Sequence, residues 1–555
     1  MRATPATALF TASLAAVACG TGGDHRQLGP DSFDGGAPPD GAIDPGLGDS
    51  GGSIFVDGDQ PVKPPIGNRA FSQGNVPADA DRLFKAATPA SGPGPALIYP
   101  AAETMFPPNV AHILFQWKVA SGSVFHLRFE TSKGVLDIYT DGQHETCAKA
   151  ETGASCWESA ADTLLPYLDA AAGSTMKLQI EALDPNAPDK LWQSPSYSLH
   201  IGPKRVGGAI YYWSTTAQGV RRGTLDGRPP ANYLTPSQAK GQCVACHTLS
   251  RSGKRLSVAF PGDLLGLVDV VETVPPPVTF GPASQGFPGQ NIAASWATFS
   301  PDDSKLAVAG QGLLTVRNAR TAEVIAGPLE LPAGTTGSMP DWAPDGKHLV
   351  FAASIDAPID RLARHLQGSS IAWLTADGMG FAGFESIAKS RGIVATCVGK
   401  ESYANPMFSP DSRWLAFSRG DCESEGDPSS EIILAPAQPN APQNHLPLAN
   451  TQVGPQRVTR LQNGMPTWAP TGDGTIAWVA FTSTRDYGAV LTEGSKVGAR
   501  VRQLWVAAID LSKASSGDPS YPAFRLPAQD LTENNHRPFW TVDVLPPDWK
   551  PPDIK

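Results

Sequence analysis

The chain has 555 residues, more than one ordinary core supports, and 41% of them are apolar, enough to fill two. Charged residues are few, at 17%, while Gly (56) and Pro (53) are abundant; this balance disfavours long surface helices and favours short strands joined by turns. The formal charge of -10 includes no Lys/Arg block able to track a phosphate backbone, so nucleic acid is not an expected partner.

The opening stretch MRATPATALFTASLAAVACGTGGD places one positive charge, Arg2, before an apolar and small-residue run that reaches Ala18, then a cysteine and flexible small residues. That is the pattern of an export signal over residues 1–19, too short to span a bilayer. The segment LAAVAC resembles the lipobox of bacterial lipoproteins, with Ala16 where Leu is usual. The resemblance implies lipid on Cys19 and attachment to a bacterial membrane, the outer one first, facing the periplasm or the cell surface. Plain secretion is the alternative. No later segment reaches the ~20 apolar residues of a spanning helix.

Residues 20–90 read as a Gly-, Asp- and Pro-rich disordered tether with little to bury. Over residues 91–203 come short alternating runs: ALIYP from Ala96, HILFQWKV from His112, VFHLRFET from Val124, VLDIYT from Val135, MKLQIEALD from Met176 and SYSLHIG from Ser196. Their period of two and their turn-rich spacers predict a β-sandwich that resembles immunoglobulin-like or fibronectin-like modules, with Trp117 in its core. Cys147 and Cys156 bound a loop suited to a disulfide worth about 2–4 kcal/mol; Cys397 and Cys422 are a second candidate pair. His112, His126 and His144 read as satisfied strand or loop histidines.

Beyond Gly202 the sequence repeats itself: WATFSPDDSKLAVAG from Trp296, MPDWAPDGKHLVFAA from Met339, NPMFSPDSRWLAFSR from Asn405 and MPTWAPTGDGTIAWVAF from Met465. Each unit is an aromatic, Ser/Ala-Pro, a polar turn and an apolar strand, and the marks Ser300, Ala343, Ser409 and Ala469 lie 43, 66 and 60 residues apart. This is the period of propeller blades with variable loops. The repeat resembles the TolB-like six-bladed β-propeller family, over residues 204–546, with 547–555 as a tail. The expected fold class is therefore all-β, an immunoglobulin-like β-sandwich followed by a six-bladed β-propeller. NNHRPFWTV from Asn534 starts a sixth blade without strands to finish it, and AIYYWSTT from Ala209 with GVRRGTLDG from Gly219 are the strands left over to complete it. Trp342, Trp468 and Trp540 recur on the innermost strand as core residues. TRDYG at 484–488 is either a functional loop or, with Asp486 as cap, a turn.

CVACH, residues 243–247, stands directly before the first repeat, HTLSRSGKRLSVAF. Cys-x-x-Cys-His is the attachment signal of c-type haem: two thiols form thioethers to the vinyl groups, and the adjacent imidazole offers an axial ligand to iron. A structural disulfide, a thioredoxin-type pair and half of a zinc site are the alternatives; the last lacks two further nearby ligands, and the pair lacks a βαβ setting. The expected cofactor is one covalent haem c held by Cys243, Cys246 and His247. On the repeat, Cys246 and His247 take the slot of Met339-Pro340 and Met465-Pro466, at the channel mouth. Met339, Met465 and His536 are the candidate sixth ligands, with Met407 less favoured because it sits inside its strand. The expected activity is electron transfer with an unidentified redox partner protein. A TolB-like interaction scaffold with a structural or sensory haem, and a peroxidase-like enzyme with an open sixth position, are the rivals. The one Gly-x-Ser-x-Gly match, at 48–52, falls in the Gly-, Asp- and Pro-rich tether and not between a strand and a helix, so a propeller-type hydrolase is not expected.

Overall fold

The computed structural model describes residues 66–545, apart from 150–152, 262, 274–275, 356–364, 394–398, 425–426, 452–460, 473 and 493–499. Cys19, Cys397, the export signal, the tether as far as residue 65 and the tail lie outside the described residues.

Strand Val124–Thr131 sets the pattern of the N-terminal module: Phe125, Leu127 and Phe129 point inward, and His126, Arg128 and Glu130 alternate with them. It lies at the centre of a sheet ordered Arg69–Gln73, Gly134–Thr140, Val124–Thr131, Thr175–Asp184, Ala187–Gln193, Thr88–Pro89, with Tyr197–Ile201 and Met105–Phe106 attached alongside. A second sheet of Ala96–Tyr99, Leu114–Lys118 and Ser155–Glu158 covers its inner face. Aromatic rings join the two, with Phe115 5.0 Å from Phe129 and Trp117 5.1 Å from Phe125. Each such ring contributes roughly 1.5–3 kcal/mol by leaving water. Cys147 and Cys156 are disulfide-bonded, with Cα atoms 6.2 Å apart.

The tether is shorter than its composition predicts. Arg69–Gln73 is a strand running parallel to Gly134–Thr140, and Ala80–Ala86 is a helix whose Phe84 is buried against His126 and Tyr139. The strand is mostly exposed and its side chains carry no alternation; beside its backbone pairing, Phe71 packs against the core and Gln73 Oε1 accepts from the Trp157 indole N–H at 2.9 Å.

Six further sheets follow. Their innermost strands are Ala245–Leu249, Trp296–Phe299, Thr336–Trp342, Ser402–Phe408, Gly464–Trp468 and Asn535–Thr541, each the first of three or four antiparallel strands. Consecutive innermost strands touch, and so do the first and the last. The arrangement is a β-propeller. Its sixth blade is composite: Asn535–Thr541 pairs with Ala209–Ser214, which carries Gly219–Gly223 and Ala231–Leu234 outward, so the ring leaves no open inner edge. Trp342, Trp468 and Trp540 are buried where the blades meet, the indole N–H of Trp468 donating to the Met407 carbonyl at 3.0 Å.

The N-terminal module and the propeller share one apolar cluster instead of two separate cores. Gln116, 0% exposed, donates to the Tyr487 carbonyl at 2.9 Å and accepts from the Ala489 amide at 2.7 Å. The Tyr99 hydroxyl accepts from the Arg525 amide at 2.9 Å, and Phe106 packs 5.0 Å from Phe524. The TRDYG segment is therefore neither an open functional loop nor a capped turn. Asp486 pairs with Arg500 in the interior, and fully buried Arg485 lies between the rings of Phe481 and Trp505 while donating to the Ala449 carbonyl at 2.9 Å. Burial lowers the Arg485 pKa to about 9.

Candidate functional site

In five of the six innermost strands the register against the next strand slips by one residue, a β-bulge. The two residues that face one partner are Cys246-His247, Met339-Pro340, Asn405-Pro406, Met465-Pro466 and Arg537-Pro538. The first of each pair is left-handed, at φ 46, 52, 52, 54 and 46. None is glycine, so each conformation is held at a cost of about 1–2 kcal/mol. Proline suits the second place because it has no N–H to leave unpaired there. The slot assigned to Cys246 and His247 by the repeat is thus the slot they occupy. They lie inside strand Ala245–Leu249, one bulge earlier than the sequence pattern suggests, and not ahead of it.

The bulges surround a cavity of about 40 Å³ on the propeller axis, whose walls include Met339, Met407, Met465, Asn405, Asp341 and Arg537. The Arg537 guanidinium lies 4.0 Å from the Trp296 ring and donates to Thr248 Oγ1 at 3.1 Å. Asp341 accepts from Arg251 and from the Phe408 amide, both at 2.8 Å, and burial raises its pKa.

His247 is fully buried and is not among the residues lining this cavity. Its Nε2 donates to the carbonyl of Tyr211, 3.2 Å away in the sixth blade, so the ring bridges the seam where the propeller closes. Its Nδ1 has no hydrogen-bond partner among the described residues. Burial first, and then the charge of Arg537, lower its pKa to about 3, against a small opposing effect of the Tyr211 bond, so the imidazole is neutral. Cys246 is partly exposed. Cys243 and Cys422 are disulfide-bonded.

The three ligand candidates separate. Met339 and Met465 line the cavity, and so does Met407, which the bulge turns back toward the axis despite its place within the strand. His536 does not: its ring packs 5.6 Å from Trp213, and Arg502 lies 3.3 Å from its Nδ1. The structure thus brings the methionines together and leaves His247 and His536 in separate inter-blade packing. The bulges escaped the sequence reading because left-handed backbone fell on Cys, Met, Asn and Arg instead of on glycine. Met-Pro and Asn-Pro at one place in the repeat were the available signal.

Whether these residues fit a haem is decided at His247. A neutral imidazole with one nitrogen anchored on a backbone carbonyl and the other carrying an unused lone pair is the chemistry of an axial ligand. Among the described residues no three His, Cys, Asp or Glu side chains gather as a metal site. The same residues also set conditions. The ring is enclosed, and a thioether and a disulfide are mutually exclusive at the sulfur of Cys243.

No family model matches the chain, and no curated protein matches it. Solved structures similar to it include a TolB protein from Agrobacterium tumefaciens, at 15% identity over 60% of this chain and 99% of that one, TM-score 0.32. The nidogen/laminin complex is similar at 10% identity over 58% of this chain and 100% of that one, TM-score 0.33. Hydrazine synthase from Kuenenia stuttgartiensis is similar at 13% identity over 54% and 74%, TM-score 0.30. The six sheets of this chain, and not these likenesses, define the propeller.

Proposed function

We propose that the chain is an exported monohaem c-type cytochrome-like lipoprotein: an immunoglobulin-like module and a TolB-like six-bladed propeller, anchored through Cys19, that hold one covalent haem at Cys243, Cys246 and His247. The observation that carries the reading is the ring of His247, kept neutral by burial, fixed in one tautomer by the Tyr211 carbonyl and unpartnered at Nδ1. Bound haem supplies one-electron transfer at its iron, to a redox partner protein. The chain's own residues hold the ligand in place and restrict water at it. Cys243 and Cys246 would hold the haem covalently and His247 would ligate its iron; with His247 enclosed by the first and sixth blades, binding would need that seam open and Cys243 present as a free thiol. Met339 and Met465 are the sixth-ligand candidates placed on the axial cavity; His536 requires rearrangement.

The enclosed ring also favours a second reading, a scaffold whose haem is structural or sensory. It disfavours a peroxidase-like enzyme, which needs an open sixth position. The test is expression with cytochrome c maturation functions, followed by denaturation. Haem is expected to stay with the wild-type chain and to be lost from Cys243→Ala/Cys246→Ala; haem extracted from the wild type by acidified solvent would overturn the covalent reading. Spectra with and without reductant separate the readings: redox-active low-spin iron supports electron transfer, redox-silent iron the scaffold, and high-spin iron the enzyme. In the same preparation Cys19→Ser should move from the membrane fraction to the soluble one.

A further inference from the structure

The protein contains seven methionines, and three of them, Met339, Met407 and Met465, line one cavity of about 40 Å³ on the propeller axis. Two of these hold left-handed backbone to be there, at φ 52 and 54. All three are nearly buried, at 3%, 7% and 8% exposure, and come from three consecutive blades. Packing alone does not call for this, since leucine fills such space with better-defined rotamers. The cavity is larger than the ~10–15 Å³ that one water needs, and beside the polar side chains of Thr248, Thr298, Asp341, Asn405 and Arg537 its wall carries three thioethers that hydration alone does not require. A thioether cluster is the ligand set of a soft cation, and among biological metals it selects Cu(I) over Zn²⁺, Mg²⁺ or Ca²⁺.

We propose that the axial cavity binds one Cu(I) ion through the sulfurs of Met339, Met407 and Met465. A monovalent ion on neutral thioethers adds one positive charge to walls that already carry Arg537. That guanidinium is directed onto the Trp296 face, and the buried carboxylate of Asp341 in the same wall, paired with Arg251, offsets one of the positive charges. The site requires no haem and no redox step, because the copper enters and leaves as Cu(I); a sulfur of Met339 or Met465 taken as sixth ligand by a haem is lost to it, so the two uses exclude each other.

The test is an anaerobic titration of the full-length chain, made without haem maturation functions, with Cu(I) in competition with bicinchoninate; Ag(I) serves as a redox-inert probe. Wild type is expected to withdraw one Cu(I) per chain, with a sulfur-only shell by copper X-ray absorption. Met339→Leu, Met407→Leu and Met465→Leu, which conserve volume and apolarity, are each expected to weaken binding at least tenfold, and the triple variant to abolish it. No Cu(I) withdrawn by the wild type overturns the proposal. So does a triple variant that binds like the wild type, since groups outside the three methionines then hold the metal. If the triple variant does not fold, the single variants decide: unchanged affinity in all three overturns the proposal. Absence of haem from the matured protein bears on the cytochrome reading and leaves this titration unaffected.

Discussion

His126 joins three carboxylates and an aromatic ring in one small network of the N-terminal module. Its Nδ1 lies 2.7 Å from Glu181 and its Nε2 2.8 Å from Asp137, while its ring stacks at 4.6 Å on Tyr139, whose hydroxyl donates to Asp81 at 3.0 Å. Burial alone would lower the His126 pKa, but the hydrogen bonds to Asp137 and Glu181 outweigh it and raise the pKa above its ordinary value. For Asp137 burial works the other way and is outweighed by His126 and Arg128, which lower its pKa. A raised histidine stabilises the fold fully below about pH 6.5 and loses that contribution as pH rises through the raised value; a lowered aspartate contributes above about pH 4 and loses it as pH falls. Both contributions are present between those limits. His126→Gln is therefore expected to cost roughly 1–3 kcal/mol in urea unfolding at pH 5.5, and less at pH 9. An equal cost at both pH values would mean that the charge on the ring contributes nothing. The sequence shows one of several polar residues in an alternating strand; it does not show which strands bring the carboxylates, because those pairings form across 55 and 11 positions.

At the level of elements, the bulge governs where the innermost strands present their side chains. Asn405 takes the left-handed position at φ 52 between strand halves that both pair normally. Asparagine tolerates that region, glycine does so more easily, and a β-branched residue does so poorly. Asn405→Gly is expected to change stability by less than about 1 kcal/mol and Asn405→Val to cost about 1–2 kcal/mol, read from denaturant midpoints; equal effects would show that the bulge relaxes away. The blades themselves were legible because aromatic, Ser/Ala-Pro, turn and apolar strand recur in the chain, and each part has a local physical reason. The bulges were not, since their strain is held by neighbouring blades. The edge strand Arg69–Gln73 was not legible either: with most of its residues exposed, no hydrophobic period marks it. At the candidate site, the pentapeptide and its slot in the ring could be read from sequence. The burial of His247 could not, because it depends on Tyr211, which stands 36 positions earlier and reaches it only when the composite sixth blade packs beside the first.

Across the whole molecule, the side chain of Gln116 fastens two architectures that the sequence presents as independent domains. Both its polar atoms are committed to the Tyr487–Ala489 backbone without access to water. Gln116→Ala strands one buried carbonyl and one buried amide, and is expected to cost about 2–4 kcal/mol, toward the upper end for two lost partners. Gln116→Glu should be destabilising too, since a carboxylate cannot donate to the Tyr487 carbonyl. Limited proteolysis checks the linkage: cleavage between the module and the propeller should become faster in both variants, and unchanged cleavage would show that the aromatic contacts alone hold them together. The composite sixth blade has a consequence measured in time. Thr215 bonds to the carbonyl of Asn534, 319 positions further on, and a ribosome adding roughly 5–20 residues per second needs on the order of 15–60 s to cover that interval. Throughout it, the strands at 209–234 exist without their inner partner, and the first blade is complete while its neighbour is not. Strand Asn535–Thr541 is the last of the ring to be made, so the sixth blade, and with it the closed ring, cannot form before these seven residues arrive.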